Sequence, residues 1–276
     1  MSNLWPKFKS DFRCPSCGHF GNDWCCRYSE KVYICMRQSS DRPSDDGGWY
    51  HRFSDDKKPN YIPARKVERP KLDIAKVEEK LVEADIDSLA KELGVTKFSL
   101  MQLDVKWSQE ENAWTFPMQD GDGNVVGYRT RYEDGSKRAI KNSRQGIFCP
   151  DCEPQELCFV PEGASDVAAF LSMGLYSVGR PSCNTGAEQI KKHLYRMSPL
   201  IKHIVIVADN DELKQRPNGD TWRPGLDGAR KLEKEIGSKA ISILASSPYK
   251  DVRQMLNVLG ARAARNMIYD TTLNKL

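Results

Sequence analysis

The chain has 276 residues, with 42 Lys and Arg against 38 Asp and Glu, a formal net charge of +4 and 39% hydrophobic residues. That length buries a sizeable core and most naturally holds one medium domain with one or two small ones, while so small a net charge names no polyanionic partner by itself. No apolar run approaches the roughly 20 residues of a membrane span, and the first residues carry no apolar signal segment, so the expectation is a cytoplasmic protein without a membrane partner.

Nine cysteines in a reducing compartment point to metal rather than disulfides, and five of them fall between residues 14 and 35. Cys14-Pro-Ser-Cys17-Gly-His19 is a zinc-knuckle sequence in which two thiolates three apart hold one ion while the glycine lets the backbone turn. The remaining ligands come from Cys25, Cys26, Cys35, His19 and His51. The expected pair is Cys26 and Cys35, because residues 27–34 read as a β-hairpin that brings its ends together, with Cys25 the competitor for Cys26. So polar a segment needs the metal to fold.

Residues 41–69 are rich in Pro, Gly, Ser, Asp and Lys and read as loop and linker, except for Gly47 to Arg52, whose aromatics read as a strand closing the metal module or as a stacking surface for bases, the former favoured. Leu72 to Leu103 shows helical spacing, with Ile74, Val77 and Leu81 on one face and Leu89, Ala90 and Leu93 on another. From Trp114 to Phe148 the pattern becomes alternating strands separated by Asp-Gly turns. Residues 127–146 hold six cations, Arg129, Arg131, Lys137, Arg138, Lys141 and Arg144, against Glu133 and Asp134. Arg129 and Arg131 stand two apart and share a strand face, a cationic strip suited to phosphates, although a solvated face has the same composition.

From Leu157 strands and helices alternate. Leu157–Val160 is a strand ending at Glu162, Asp166–Met173 a helix, residues 176–179 a strand, Gly186–Met197 a helix, and Ile204–Ala208 a strand. A helix from Gly225 and a strand at Ala240–Leu244 follow, Gly228 and Ala229 permitting close packing on the sheet. Four consecutive β-branched residues, 204–207, mark a strand buried on both faces. Asp209 and Asp211 follow it at the carboxyl end, the edge where open α/β sheets bind ligands. Close carboxylates repel unless a divalent cation sits between them; a solvated Asp-Asn-Asp turn is the bland alternative. Glu162 occupies the same edge if the two strands are neighbours.

Glu162-Gly163 followed by Asp166, then Asp209-Asn210-Asp211 and Gly228-Ala229, resembles the TOPRIM domain of bacterial-type primases, type IA and II topoisomerases and several nucleases. Gly127-Tyr128-Arg129 and the run from Lys137 through Lys141 and Asn142 to Arg144 resemble the basic half of the bacterial and phage primase core. The fold expected from this resemblance is an α/β TOPRIM domain, a parallel sheet flanked by helices, preceded by a mixed basic β subdomain and an N-terminal zinc ribbon. The corresponding boundaries are a zinc domain at 1–55, a linker at 56–75, a helical connector at 76–108, the basic half-core at 109–154, TOPRIM at 155–260 and a tail at 261–276. The resemblance implies that Glu162, Asp166, Asp209 and Asp211 are catalytic, that Glu162, Asp209 and Asp211 hold magnesium or manganese, and that Arg129, Arg131, Lys137, Arg138, Lys141, Asn142 and Arg144 grip nucleic acid and nucleotide. The zinc ligands expected from the spacing are Cys14, Cys17, Cys26 and Cys35.

Three features depart from the family. The second half of the zinc site lacks a CxxC, residues 212–224 form an insertion whose Arg216 and Arg223 are placed to meet phosphates, and no GxxxxGK[ST] is present, so a helicase motor is expected on a separate replicative helicase. The expected activity is that of a DNA primase making short RNA primers on single-stranded DNA from ribonucleoside triphosphates, in the cytoplasm of a bacterium or of the host of a phage or plasmid. A TOPRIM nuclease and a non-catalytic zinc/TOPRIM recombination mediator are the alternatives. A topoisomerase would need strand-passage gates for which the length leaves no room.

Overall fold

The computed structural model describes residues 14–18, 25–27, 31–44, 48–52, 70–197, 199–215, 221–237, 239–244 and 248–276. The chain forms two compact units, Met1–Arg69 and Pro70–Leu276. In the first, β1 (Cys26–Arg27), β2 (Val32–Cys35) and β3 (Trp49–Arg52) make an antiparallel sheet in that order. Tyr33, Ile34 and Cys35 are buried, and β3 pairs with β2 from Val32↔Arg52 to Cys35↔Trp49, so the Trp-Tyr-His stretch is the closing strand.

The second unit begins with α1 (Ile74–Glu78), β4 (Leu81–Val82), α2 (Asp87–Leu93) and α3 (Lys97–Gln102). The helical spacing over 72–103 therefore misplaces Leu81: it pairs with Ser108 at a sheet edge, because an exposed edge offers unmet backbone hydrogen bonds that two residues of this segment satisfy. β5 (Lys106–Ser108), β6 (Ala113–Gln119), β7 (Val125–Arg131) and β8 (Lys137–Ala139) complete an antiparallel sheet of order β4-β5-β6-β7-β8. Leu89, Leu93 and Leu100 of the helices pack with Phe116 and Met118 of β6; each such buried side chain stabilises by about 1.5–3 kcal/mol.

Chain order continues with β9 (Leu157–Val160), α4 (Ala164–Ser172), α5 (Ala187–Arg196), β10 (His203–Ala208), a small ribbon of β11 (Lys214–Gln215) and β12 (Thr221–Trp222), α6 (Pro224–Ile236), β13 (Ala240–Leu244), α7 (Val252–Leu259) and α8 (Ala261–Leu273). β9, β10 and β13 are parallel, in the order β13-β10-β9, which makes Glu162 and Asp209 neighbours at one sheet edge. The segment expected as a strand at 176–179 makes single parallel bridges, Phe159↔Ser177 and Glu162↔Arg180, rather than a ladder. Phe148 bridges Gly179, and Ile147 bridges Gln119 at the end of β6, which carries hydrogen bonding from one sheet towards the other.

Gly228 has the role its position in the sequence implied, on a different neighbour. A Cβ there would stand 2.3 Å from the carbonyl oxygen of Cys183, so α6 approaches the 180–183 turn as closely as it does only because the side chain is missing. No helix among the described residues is long and apolar enough to cross a membrane.

Candidate metal centres and catalytic cleft

In the first unit one sulfur from each of Cys14, Cys17, Cys25 and Cys35 lies within 4.8 Å of the others. A tetrahedral zinc thiolate site with Zn–S near 2.3 Å requires sulfurs about 3.8 Å apart. Cys17 to Cys25 is 3.8 Å and Cys25 to Cys35 is 3.9 Å, so the cluster fits zinc. The cluster contains Cys25, the competitor for the expected Cys26, whose side chain lies outside the described residues, as does His19. His51 is engaged elsewhere: its Nε2 is 2.9 Å from the Gln38 carbonyl and its ring stacks on Tyr33. Amides of Arg37 and Gln38 donate to the Cys35 sulfur and that of Met36 to Cys25, the outer shell that stabilises a thiolate. Hydrogen bonds from Cys14 and Cys25 hold the Cys35 thiol far below its ordinary range.

In the second unit a cavity of about 290 Å3 opens where the two sheets meet. Its antiparallel side presents Arg129, Arg131 and Lys137, and its parallel side presents Glu162, Asp166 and Asp209. Arg129 pairs across the ladder with Phe116, and Arg131 with Trp114 on β6 and Lys137 on β8, so all three cations share one face as the spacing of two requires. Glu92 on α2 holds Arg131 through its Nε and Nη2, the latter at 2.6 Å. Arg138 points to the other face, over the ring of Tyr132, and Lys141 lines a separate cavity with Leu72 and Val77. Asn142 and Arg144 do not line the cleft either; Asn142 occupies a turn with φ +70.

Glu162 ends β9, and Gly163 turns the chain into α4 with φ +85, a conformation that costs glycine little. The helix starts at Ala164, two residues before the position the sequence pattern gives, so Asp166 sits inside its first turn. Asp166 is buried, with Oδ1 lacking a hydrogen-bond partner; burial first, then the charges of Asp251 and Asp209, push its carboxyl well above the usual range. Asp209 follows β10 and is pushed up to about 7 by burial and then by Glu162, Asp251 and Asp211, against the pull of Arg180. Asp211 does not line the cavity: its Oδ2 accepts the Gly225 amide at 3.1 Å, at the start of α6. Of the insertion's arginines, Arg216 lies outside the described residues and Arg223 is the residue preceding α6.

Four residues of the site escaped the sequence reading. Lys250 and Asp251, at the start of α7, and Arg253, in its first turn, line the cleft beyond β13, the third strand whose carboxyl end meets this edge. Asp251 also caps α7 by accepting the Gln254 amide at 2.7 Å. The edge rule that selected Glu162 and Asp209 would have found them. Arg180 gave no signal. It is 1% exposed, donates to the Val207 and Cys183 carbonyls and exchanges backbone bonds with Pro161 and Gly163, tying the end of β9 to the end of β10.

Among the described residues no three of these carboxylates approach as closely as the four cysteines. A divalent ion at this edge would take only one or two carboxylates and keep several waters, as magnesium does, rather than sit in an all-protein cage. Without the cation the buried acids are a liability, which gives a pH signature. Because Asp209 binds its proton more tightly folded than unfolded, where its pKa is near 3.9, protons favour the fold. In zinc-loaded, magnesium-free protein, stability should fall as pH rises from about 4 through about 7, by up to about 4 kcal/mol. Magnesium added at pH 8 should restore it; a melting temperature at pH 8 indifferent to magnesium would contradict the site.

No protein-family model and no curated protein matches this sequence. Solved structures do. The zinc-binding and RNA polymerase domains of Aquifex aeolicus primase align over 68% of this chain and 56% of that one, with a TM-score of 0.50 and 15% identity. This chain has a DNA primase fold. The primase fragment of the bacteriophage T7 primase-helicase covers 97% of this chain and 99% of its own at 14% identity and a TM-score of 0.46. The E. coli primase catalytic core covers 71% and 73% at 13% and 0.47. A primase fold with a four-cysteine cluster is thus the architecture in which the cleft sits.

Proposed function

We propose that the chain is a DNA primase, a metal-dependent enzyme that joins ribonucleoside triphosphates into short primers on a single-stranded DNA template, with a TOPRIM domain as its parallel-sheet half. The observation that carries this reading is one cleft in which Glu162, Asp166 and Asp209 face Arg129, Arg131 and Lys137. Phosphoryl transfer asks the protein mainly to position reactants and to neutralise charge. Glu162 and Asp209, with Asp211 behind them and Asp251 beside them, would hold magnesium or manganese, which lowers the pKa of an attacking hydroxyl and screens the triphosphate. Arg129, Arg131 and Lys137 would grip template and nucleotide phosphates. Asp166, whose carboxyl burial raises well above the usual range, is suited to donate a hydrogen bond or a proton rather than to bind a cation.

Zinc in the first unit would be held by Cys14, Cys17, Cys25 and Cys35, and a separate replicative helicase is the expected partner. The test is incorporation of labelled ribonucleotides on mixed single-stranded templates with and without magnesium. Magnesium-dependent oligoribonucleotides are expected. DNA cleavage in the absence of nucleotides would instead assign the cleft to a nuclease, and binding of DNA with neither reaction to a recombination mediator.

A further inference from the structure

The cleft holds cations that neither the basic strip nor the acid set explains. Its lining carries five, Arg129, Arg131, Lys137, Lys250 and Arg253, against four carboxylates, Glu162, Asp166, Asp209 and Asp251. Glu92 offsets Arg131, which leaves four cations against four carboxylates, and burial pushes Asp166 and Asp209 towards their protonated forms, so the cleft can take an anion as well as a cation.

Arg253 is the cation whose placement says most. It projects from the first turn of α7, on the parallel-sheet side, facing the strip on β7 and β8 across the cavity. Its Nε is buried without a hydrogen-bond partner, and among the described residues no carboxylate forms an ion pair with it, whereas Arg131 across the cavity is already committed to Glu92. Arg253 lines the cavity without a carboxylate partner among the described residues, and the guanidinium fork matches phosphate oxygens. Lys250, three residues earlier, opens onto the same cavity.

We propose that Arg253, assisted by Lys250, binds the triphosphate of the incoming nucleotide from the parallel-sheet side, opposite Arg129, Arg131 and Lys137. The proposal rests on the primase reading for its choice of ligand and adds a binding residue to it. A clamp of this kind fixes the nucleotide against the metal-holding acids instead of leaving it on one wall, and bidentate positioning is a large part of what such sites supply.

The test compares the wild type with Arg253→Gln and Arg253→Lys, each in the zinc-loaded full chain. Three readouts are used: the KM for ribonucleoside triphosphate, equilibrium binding of ATP by calorimetry with magnesium present, and Mn2+ binding followed by its paramagnetic resonance. Arg253→Gln should raise KM and weaken ATP binding at least tenfold while kcat falls less than threefold and Mn2+ binding is unchanged. Arg253→Lys, which keeps the charge and loses the fork, should recover part of the loss. Unchanged KM and ATP binding in Arg253→Gln would overturn the proposal. So would a variant whose main defect is Mn2+ affinity, since that would place Arg253 with the metal-holding acids rather than with the nucleotide. Should Arg253→Gln fail to fold, Arg253→Lys decides alone: ATP binding equal to wild type refutes the fork. If the wild type makes no primers, the primase reading fails, and ATP binding still settles the role of Arg253.

Discussion

If the chain primes as proposed, Asp209→Asn is expected to lower ribonucleotide incorporation by about a thousandfold or more and at the same time to make the magnesium-free protein more stable at pH 8. Both halves come from one cause. The carboxylate stands at the end of β10 beside Glu162, where burial and neighbouring acids push it up to about 7, so at pH 8 it is ionised at a cost to the fold. Asparagine keeps the shape and removes the charge, and relief on the order of 1–4 kcal/mol is expected. In the proposed site what is lost is a metal-holding oxygen, and a bound divalent ion would supply several kcal/mol to the transition state, each 1.36 kcal/mol being tenfold in rate. The variant should therefore melt higher without magnesium and gain little when magnesium is added. An active Asp209→Asn enzyme would remove Asp209 from the metal site. A variant inactive because it is unfolded would show a lower melting temperature, the opposite of what the electrostatics require. Such gain of stability on loss of function is the usual mark of a strained active site.

The second large effect concerns zinc. Cys35→Ser should abolish zinc binding and the folded structure of the first unit, because Cys35 is fully buried in the four-sulfur cluster and metal binding in so small a module is folding free energy, about 10–16 kcal/mol in zinc-finger peptides. The unit Pro70–Leu276 has its own cores and should melt as before. The neighbouring cysteines make the sharper comparison: Cys25→Ser should lose the metal and Cys26→Ser should keep it, read as zinc per chain by elemental analysis. The reverse result would restore the ligand that the hairpin argument favours.

That pair shows where pattern stops being informative. A hairpin brings its two ends together whichever of two adjacent residues closes the site, and period-two alternation puts the two on opposite faces; only the placed backbone chooses. Leu81 is a similar case, since Ile74, Val77 and Leu81 match a helical stripe while β4 forms because the edge of β5 offers hydrogen bonds. Legible elements were those with strong local signals. The β-branched run of β10, the Asp-Gly turns between β6 and β8, and the glycine of α6 each act through neighbours in sequence or through one close contact.

For the cleft, the sequence by itself determined that Glu162 and Asp209 end buried strands and that Arg129 and Arg131 share a face, because strand periodicity is a property of the backbone. It also determined the pair of thiolates at Cys14 and Cys17, because a CxxC turn is local. Only the tertiary structure decided that Asp211 turns to the α6 amide, that Arg138 leaves the cationic face, and that Asp251, Arg253 and the buried Arg180 join the site. Those placements depend on which strand lies beside which and on how two sheets meet. Contacts between residues far apart in sequence leave no periodic trace, and their energies are set by burial and charge that exist only once the chain has folded.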